Sequence, residues 1–264
     1  MDNIIEVKNL VKKFGDFSAV NDISFTIPRG QIFAFLGPNG AGKSTTIKIM
    51  TTLLAKSSGT IKIAGYDIEH DQNKIRNCLG IVFQDPSLDD ELTAYENMEI
   101  HARLYGLDRS DLKEKIKSLL EFVELWERQD KFVKTFSGGM KRRLEIARGF
   151  LHKPQVLFLD EPTQGLDPQT RNHIWSYVKK LNQEQGLTVF FTTHYIEEAE
   201  KSADYVAVID AGKIVAAGTP ADLITQTKKT NLEDAFLELT GHTIRDEEVG
   251  PMENMRNMVN ARRR

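Results

Sequence analysis

The chain has 264 residues, 35 Lys and Arg against 38 Asp and Glu, and a formal charge of −3. That length can bury a substantial core in one large or two modest domains. A hydrophobic share of 40% with 28% charged residues is that of a globule and excludes wholesale disorder. The near-neutral balance argues against a dedicated nucleic-acid binder, and the single cysteine, Cys78, excludes an internal disulfide and fits a reducing compartment. No stretch approaches the roughly 20 apolar residues of a membrane span. The opening Met1-Asp2-Asn3-Ile4-Ile5-Glu6 has no basic-then-apolar leader, so the expectation is a cytosolic α/β protein.

In chain order, Ile23, Phe25 and Ile27 alternate with polar residues, as in a half-exposed strand. Ile32 to Leu36 is a continuous apolar run, as in a strand covered on both faces. Ile61 and Ile63 alternate again. Ile81-Val82-Phe83, Val156 to Leu159, Val189-Phe190-Phe191 and Val206 to Ile209 are further short strands of the buried kind. Strands separated by helical patterns predict a mainly parallel sheet with right-handed crossovers, beside an N-terminal antiparallel β region. Residues 89–152 carry no strand pattern and read as helices around Tyr95–Tyr105, Leu112–Trp126 and Met140–Leu151. Such a block is either an inserted helical subdomain, the favoured reading, or extra helices on the same sheet. Leu232, Phe236 and Leu239 form an apolar stripe that closes a domain of residues 1–240. Residues 241–264 read as a polar, solvated tail ending in three arginines, a weak basic tip for lipid headgroups.

Gly37-Pro38-Asn39-Gly40-Ala41-Gly42-Lys43-Ser44 satisfies the phosphate-binding pattern G-x-x-x-x-G-K-[ST]. A strand pattern ends at Leu36, and Ile47, Met50, Leu53 and Leu54 continue at helical spacing, so the motif sits on a strand–loop–helix turn. Glycines let successive backbone N–H groups converge on phosphate oxygens, and the helix N-terminus adds partial positive charge. Lys43 supplies a cation for terminal phosphates, and the Ser44 hydroxyl is a ligand for Mg²⁺. Val156–Leu159 runs into Asp160 and Glu161, placing two carboxylates at the carboxyl end of a strand, where open parallel sheets gather ligands. Alone, such a pair is a helix-capping turn. Beside the cradle, Asp160 is a ligand for Mg²⁺, directly or through water, and Glu161 is placed to polarise a water.

Phe136-Ser137-Gly138-Gly139-Met140 opens an amphipathic helix with Met140, Leu144, Ala147 and Leu151 on one face. With the two nucleotide motifs, it makes the chain from about Ile4 to Gly241 resemble the ATP-binding cassette (ABC) superfamily of P-loop NTPases. The resemblance implies that Gln84 is the Q-loop glutamine, Gly165-Leu166-Asp167 the D-loop and His194 the switch histidine, and that Phe14 stacks on adenine. It places Gly37 to Ser44 and Thr45 around the phosphates and Ser44, Asp160 and Gln84 on Mg²⁺. It makes Glu161 the group that polarises the lytic water, with His194 on the γ-phosphate. Ser137, Gly138 and Gly139 would close the site of a second, head-to-tail cassette, and Asp167 would communicate across that dimer. Met140 stands where the common signature has glutamine and Phe136 where it has leucine, so a side-chain contact from position 140 is not carried over. Phe14 replaces the commoner tyrosine and keeps the stacking face.

The implied function is the ATP-hydrolysing subunit of a transporter, working through a separate transmembrane permease on the cytoplasmic face of the membrane. The closing segment Leu232–Gly241 and Phe136 to Arg143 resemble the drug, sodium and antibiotic export branch. A DNA-repair head would carry a long coiled coil between cradle and signature, and here only 94 residues separate Lys43 from Ser137. A translation-type protein would carry two cassettes. A pseudo-ATPase is disfavoured because Lys43, Asp160, Glu161 and His194 are all present.

Overall fold

A computed structural model describes residues 2–241; the predicted tail from residue 242 onward lies outside the described residues. The chain opens with β1 (Asn3–Phe14) and β2 (Phe17–Pro28), followed by β3 (Ile32–Leu36) and α1 (Lys43–Met50). Next come β4 (Ser58–Ile63), β5 (Tyr66–Asp67), α2 (Gln72–Cys78) and β6 (Leu79–Val82). A helical block follows: α3 (Ala94–Leu104), α4 (Leu112–Phe122) and α5 (Gly138–Phe150). The remainder alternates: β7 (Val156–Asp160), α6 (Pro168–Gln185), β8 (Thr188–Thr193), α7 (Ile196–Ser202), β9 (Tyr205–Asp210), β10 (Lys213–Gly218), α8 (Pro220–Thr227) and α9 (Leu232–Thr240).

Two sheets form. The first is antiparallel, in the order β2-β1-β4-β5. The second runs β10-β9-β3-β8-β7-β6 and is parallel except for the β9–β10 pair. Because alternate side chains leave opposite faces of a strand, β3 must be apolar at every position to be covered twice. Phe33 and Phe35 join Ile23, Ile47, Phe158 and Phe190 in a core between the two sheets. Ala34 and Leu36 join Leu157, Val178, Val189 and Phe191 beneath the helices on the other face. A third core holds Met98, Ile116, Leu120, Val133, Leu144 and Ala147 within the helical block.

Element ends depart from the expected ones for local reasons. α1 stops at Met50, Thr52 turns to φ 64°, and Leu53, expected to extend the apolar stripe, is 61% exposed. α4 stops at Phe122 instead of continuing to Trp126, because Glu124 takes φ 57° and the Leu125 amide bonds back to the Leu120 carbonyl. α9 buries Leu232 and Ala235, with Phe236 and Leu239 packed partly against the second core. No helix among the described residues is long and apolar enough to cross a membrane.

Candidate functional site

Four loops leave the carboxyl ends of the adjacent parallel strands β3, β8, β7 and β6, and they carry Gly37–Gly42, His194, Glu161 and Gln84 respectively. Register fixes their neighbourhood: Leu36 lies opposite Thr193, and Asp160 opposite Thr192. Residues far apart in sequence meet there because the sheet aligns their strands.

The loop before α1 is shaped by close approach. A Cβ on Gly37 would lie 2.3 Å from the Ile209 carbonyl oxygen. One on Gly42, at φ 103°, would lie 2.5 Å from the Ala19 carbonyl oxygen. Only glycine fits both constraints. Gly42 is also the N-cap of α1 and offers no side-chain acceptor, so the first-turn N–H groups are left for an anion. The loop curls round the Lys43 ammonium, which donates to the carbonyls of Gly37 (2.8 Å) and Pro38 (3.0 Å). Asn39 and Gly40 stay exposed at the tip, Ala41 is buried, and Thr45, the third residue of α1, is half-buried.

Lys43 is the centre of a buried charge cluster. Its Nζ lies 3.3 Å from Glu161 Oε1, and His194 Nδ1 lies 3.1 Å from Glu161 Oε2 without the alignment of a formed hydrogen bond. Burial lowers the Lys43 pKa, opposed by the nearby Glu161 and Asp160 charges. Burial pulls Glu161 upward, but His194 and the Lys43 charge outweigh it and hold the carboxyl below its ordinary range. Glu161 itself sits at φ 48°, in the left-handed region that non-glycine residues rarely occupy, and its N–H is shared between the Thr192 carbonyl (3.2 Å) and hydroxyl (3.1 Å). Such strain is held only where surrounding structure over-determines it, and it turns the carboxylate toward Lys43.

Asp160 is buried, and its Oδ1 accepts from Thr192 Oγ1 (2.6 Å) and Ser44 Oγ (3.2 Å). Burial raises its pKa despite these bonds. Ser44 and Asp160 thus bring two oxygen donors of the hard type together, with a buried carboxylate whose charge a cation would offset, and this donor set fits Mg²⁺. Gln84 does not join the pair: it is exposed, and its amide donates instead to Gln164, in the loop that follows Glu161. Phe14 ends β1 half-buried, with the Lys12 ammonium 4.8 Å from its ring centroid.

The signature residues lie apart from this cluster. Ser137 is the N-cap of α5, accepting from the Met140 amide at 3.2 Å, and Ser137 and Gly138 are both exposed. Gly139 packs against α6, where a Cβ would lie 2.5 Å from Thr170 Cγ2. Asp167 is the exposed N-cap of α6, bonded to the Thr170 amide (3.0 Å) and hydroxyl (2.6 Å). The sequence pattern gave no role to Thr192, which bonds the Asp160 carboxylate and the Glu161 backbone amide; its place directly opposite Asp160 in the sheet was the missing signal.

Fold and site together define a P-loop nucleotide-binding protein. The ABC transporter family profile matches residues 20–164. Over 242 residues the chain is 43% identical to the linearmycin resistance ATP-binding protein LnrL of Bacillus subtilis (strain 168), covering 89% of this chain and 78% of that one. It is 41% identical to the Nod factor export ATP-binding protein I of Ralstonia nicotianae, over 84% of this chain and 69% of that one. A dimeric ATP-binding cassette in a post-hydrolysis state, bound to ADP and Pi, superposes with a TM-score of 0.74 at 28% identity, covering 81% of this chain and 98% of the other. The chain belongs to the ABC transporter family, and it is an ATP-binding, ATP-hydrolysing subunit of that family.

Proposed function

We propose that this subunit powers export of a drug- or antibiotic-class compound through a separate transmembrane permease, docked at the cytoplasmic face of the membrane. The resistance and export named in its relatives support that direction. The observation that carries the ATPase mechanism is the convergence of Lys43, Glu161 and His194 at the ends of three adjacent parallel strands.

The first-turn amides of α1 and Lys43 receive the phosphates, Phe14 stacks on adenine, and Ser44 and Asp160, with Gln84, would hold Mg²⁺. A cation held there would supply positive charge to offset that of the phosphates. Glu161, held ionised at neutral pH, accepts a proton from the attacking water, and His194 donates toward the γ-phosphate. Ser137 and Gly138, exposed at a helix N-terminus away from their own cradle, cover the γ-phosphate bound by a second copy. ATP therefore favours the closed pair and ADP does not, a population shift set by differential affinity. Asp167, the exposed N-cap of α6, communicates across the same pair.

Size-exclusion chromatography of Glu161→Gln with and without ATP and Mg²⁺ tests this reading. An ATP-dependent dimer is expected, and a monomer at saturating ATP overturns it. Co-purification with a membrane permease encoded beside the gene tests the transport role, and a stable complex with DNA or ribosomes would refute it.

A further inference from the structure

Arg142 and Glu145 take no part in the mechanism above, yet both are buried, one turn apart on α5 and 3.1 Å from each other. The pair grips a loop. Arg142 donates to the carbonyls of Phe83 (2.5 Å) and Gln84 (3.1 Å). Glu145 Oε1 accepts from the Ser87 amide (2.7 Å) and hydroxyl (3.3 Å). A turn further on, Arg148 donates to the Ser87 carbonyl at 2.9 Å. One face of one helix therefore holds both ends of residues 83–87, and the N-cap of that helix is Ser137. Burial raises the Glu145 pKa and lowers that of Arg142, each pulled back by its partner's charge.

A buried ion pair is often no more stabilising than apolar residues of similar volume, so stability alone does not account for it. What the pair supplies is direction: its bonds go to the backbone that carries Gln84. We propose that Arg142 and Glu145 are positioning residues that lock the Gln84 loop to the Ser137 helix, so that Gln84 at one nucleotide and Ser137 at the other move as a unit. This rests on the two-copy reading above.

The test is the purified full-length chain carrying Arg142→Met with Glu145→Met, which keeps bulk and removes both charges. The expected result is an ATP affinity and KM within about twofold of parental and a kcat lowered about tenfold or more, the scale of a misplaced group outside the chemistry. Arg142→Lys, which retains the charge and one donor, should recover part of kcat. In the Glu161→Gln background, the Met pair should raise the ATP concentration needed for dimerisation. Should the double variant fail to fold, Glu145→Gln and Arg142→Lys decide. Parental kcat in the folded variants, with Glu161→Gln still dimerising, overturns the clamp alone. Failure of Glu161→Gln to dimerise overturns the two-copy reading beneath it.

Discussion

Replacing Glu161 by Gln removes one charge and keeps the shape of the side chain, so its consequences can be worked from distances. At 3.3 Å from Lys43, with an effective dielectric of about 20, the attraction is about 5 kcal/mol. Desolvation of two buried charges offsets most of it, leaving about 1–2 kcal/mol net. A phosphate entering the cradle competes with Glu161 for the Lys43 ammonium, and that competition is absent in the variant. ATP affinity should therefore rise by about 5- to 30-fold. Hydrolysis should fall by about 10²- to 10⁴-fold, the usual contribution of a positioned general base. Equilibrium titration with a fluorescent ATP analogue reads the first quantity, and phosphate release at saturating ATP reads the second. Unchanged affinity would show that the Lys43–Glu161 contact does not oppose phosphate, and parental turnover would remove Glu161 from the chemistry.

Lys43→Ala should weaken ATP binding by more than about tenfold and destabilise the fold by roughly 3–5 kcal/mol, because it strands a buried carboxylate. Adding Glu161→Gln should return part of that loss in urea denaturation, and strict additivity would contradict the pairing. Gly42→Ala forces a methyl toward the Ala19 carbonyl at a φ of 103° and should lower stability by about 1–3 kcal/mol, read as a fall in melting temperature. Phe14→Ala should cost about 1–3 kcal/mol in ATP affinity, while Phe14→Tyr binds as the parent does, both by titration. His101 is held down to about 4 by burial and by the Arg148 and His152 charges. The unfolded chain takes up that proton near pH 6.5 and the folded one only near 4, so stability is full above about 6.5 and declines as pH falls toward 4. His101→Gln should flatten urea midpoints measured between pH 4 and 6.5, and an unchanged slope would count against this assignment.

Much was legible in the chain because its signals are local. Two-sided burial of β3 is written in Ile32–Leu36, since a strand covered twice has no polar position to spare. The cradle was legible because its glycines answer a backbone need: a curl around an ammonium with no room for a Cβ at Gly37 or Gly42. The order Lys43, Ser137, Asp160, Glu161, His194 carried the family resemblance. Helix ends were harder, because α1 and α4 stop at left-handed residues, Thr52 and Glu124, whose side chains do not announce that conformation.

Tertiary structure alone decided which groups meet. Strand order places β8 between β3 and β7, and so sets His194 and Thr192 against Glu161 and Asp160, whereas order along the chain would put β8 beyond both. It turned Glu161 into a strained conformation facing Lys43, and it gave Gln84 a partner in Gln164 that no spacing foretells. It also buried Arg142 and Glu145 against residues 83–87, which a reading of α5 as an amphipathic helix would leave in solvent. Local propensity and motif chemistry act over a few residues and so can be read from sequence. Pairing across a sheet joins distant segments, β3 to β8 over more than a hundred residues, and the sequence records that only in the finished fold.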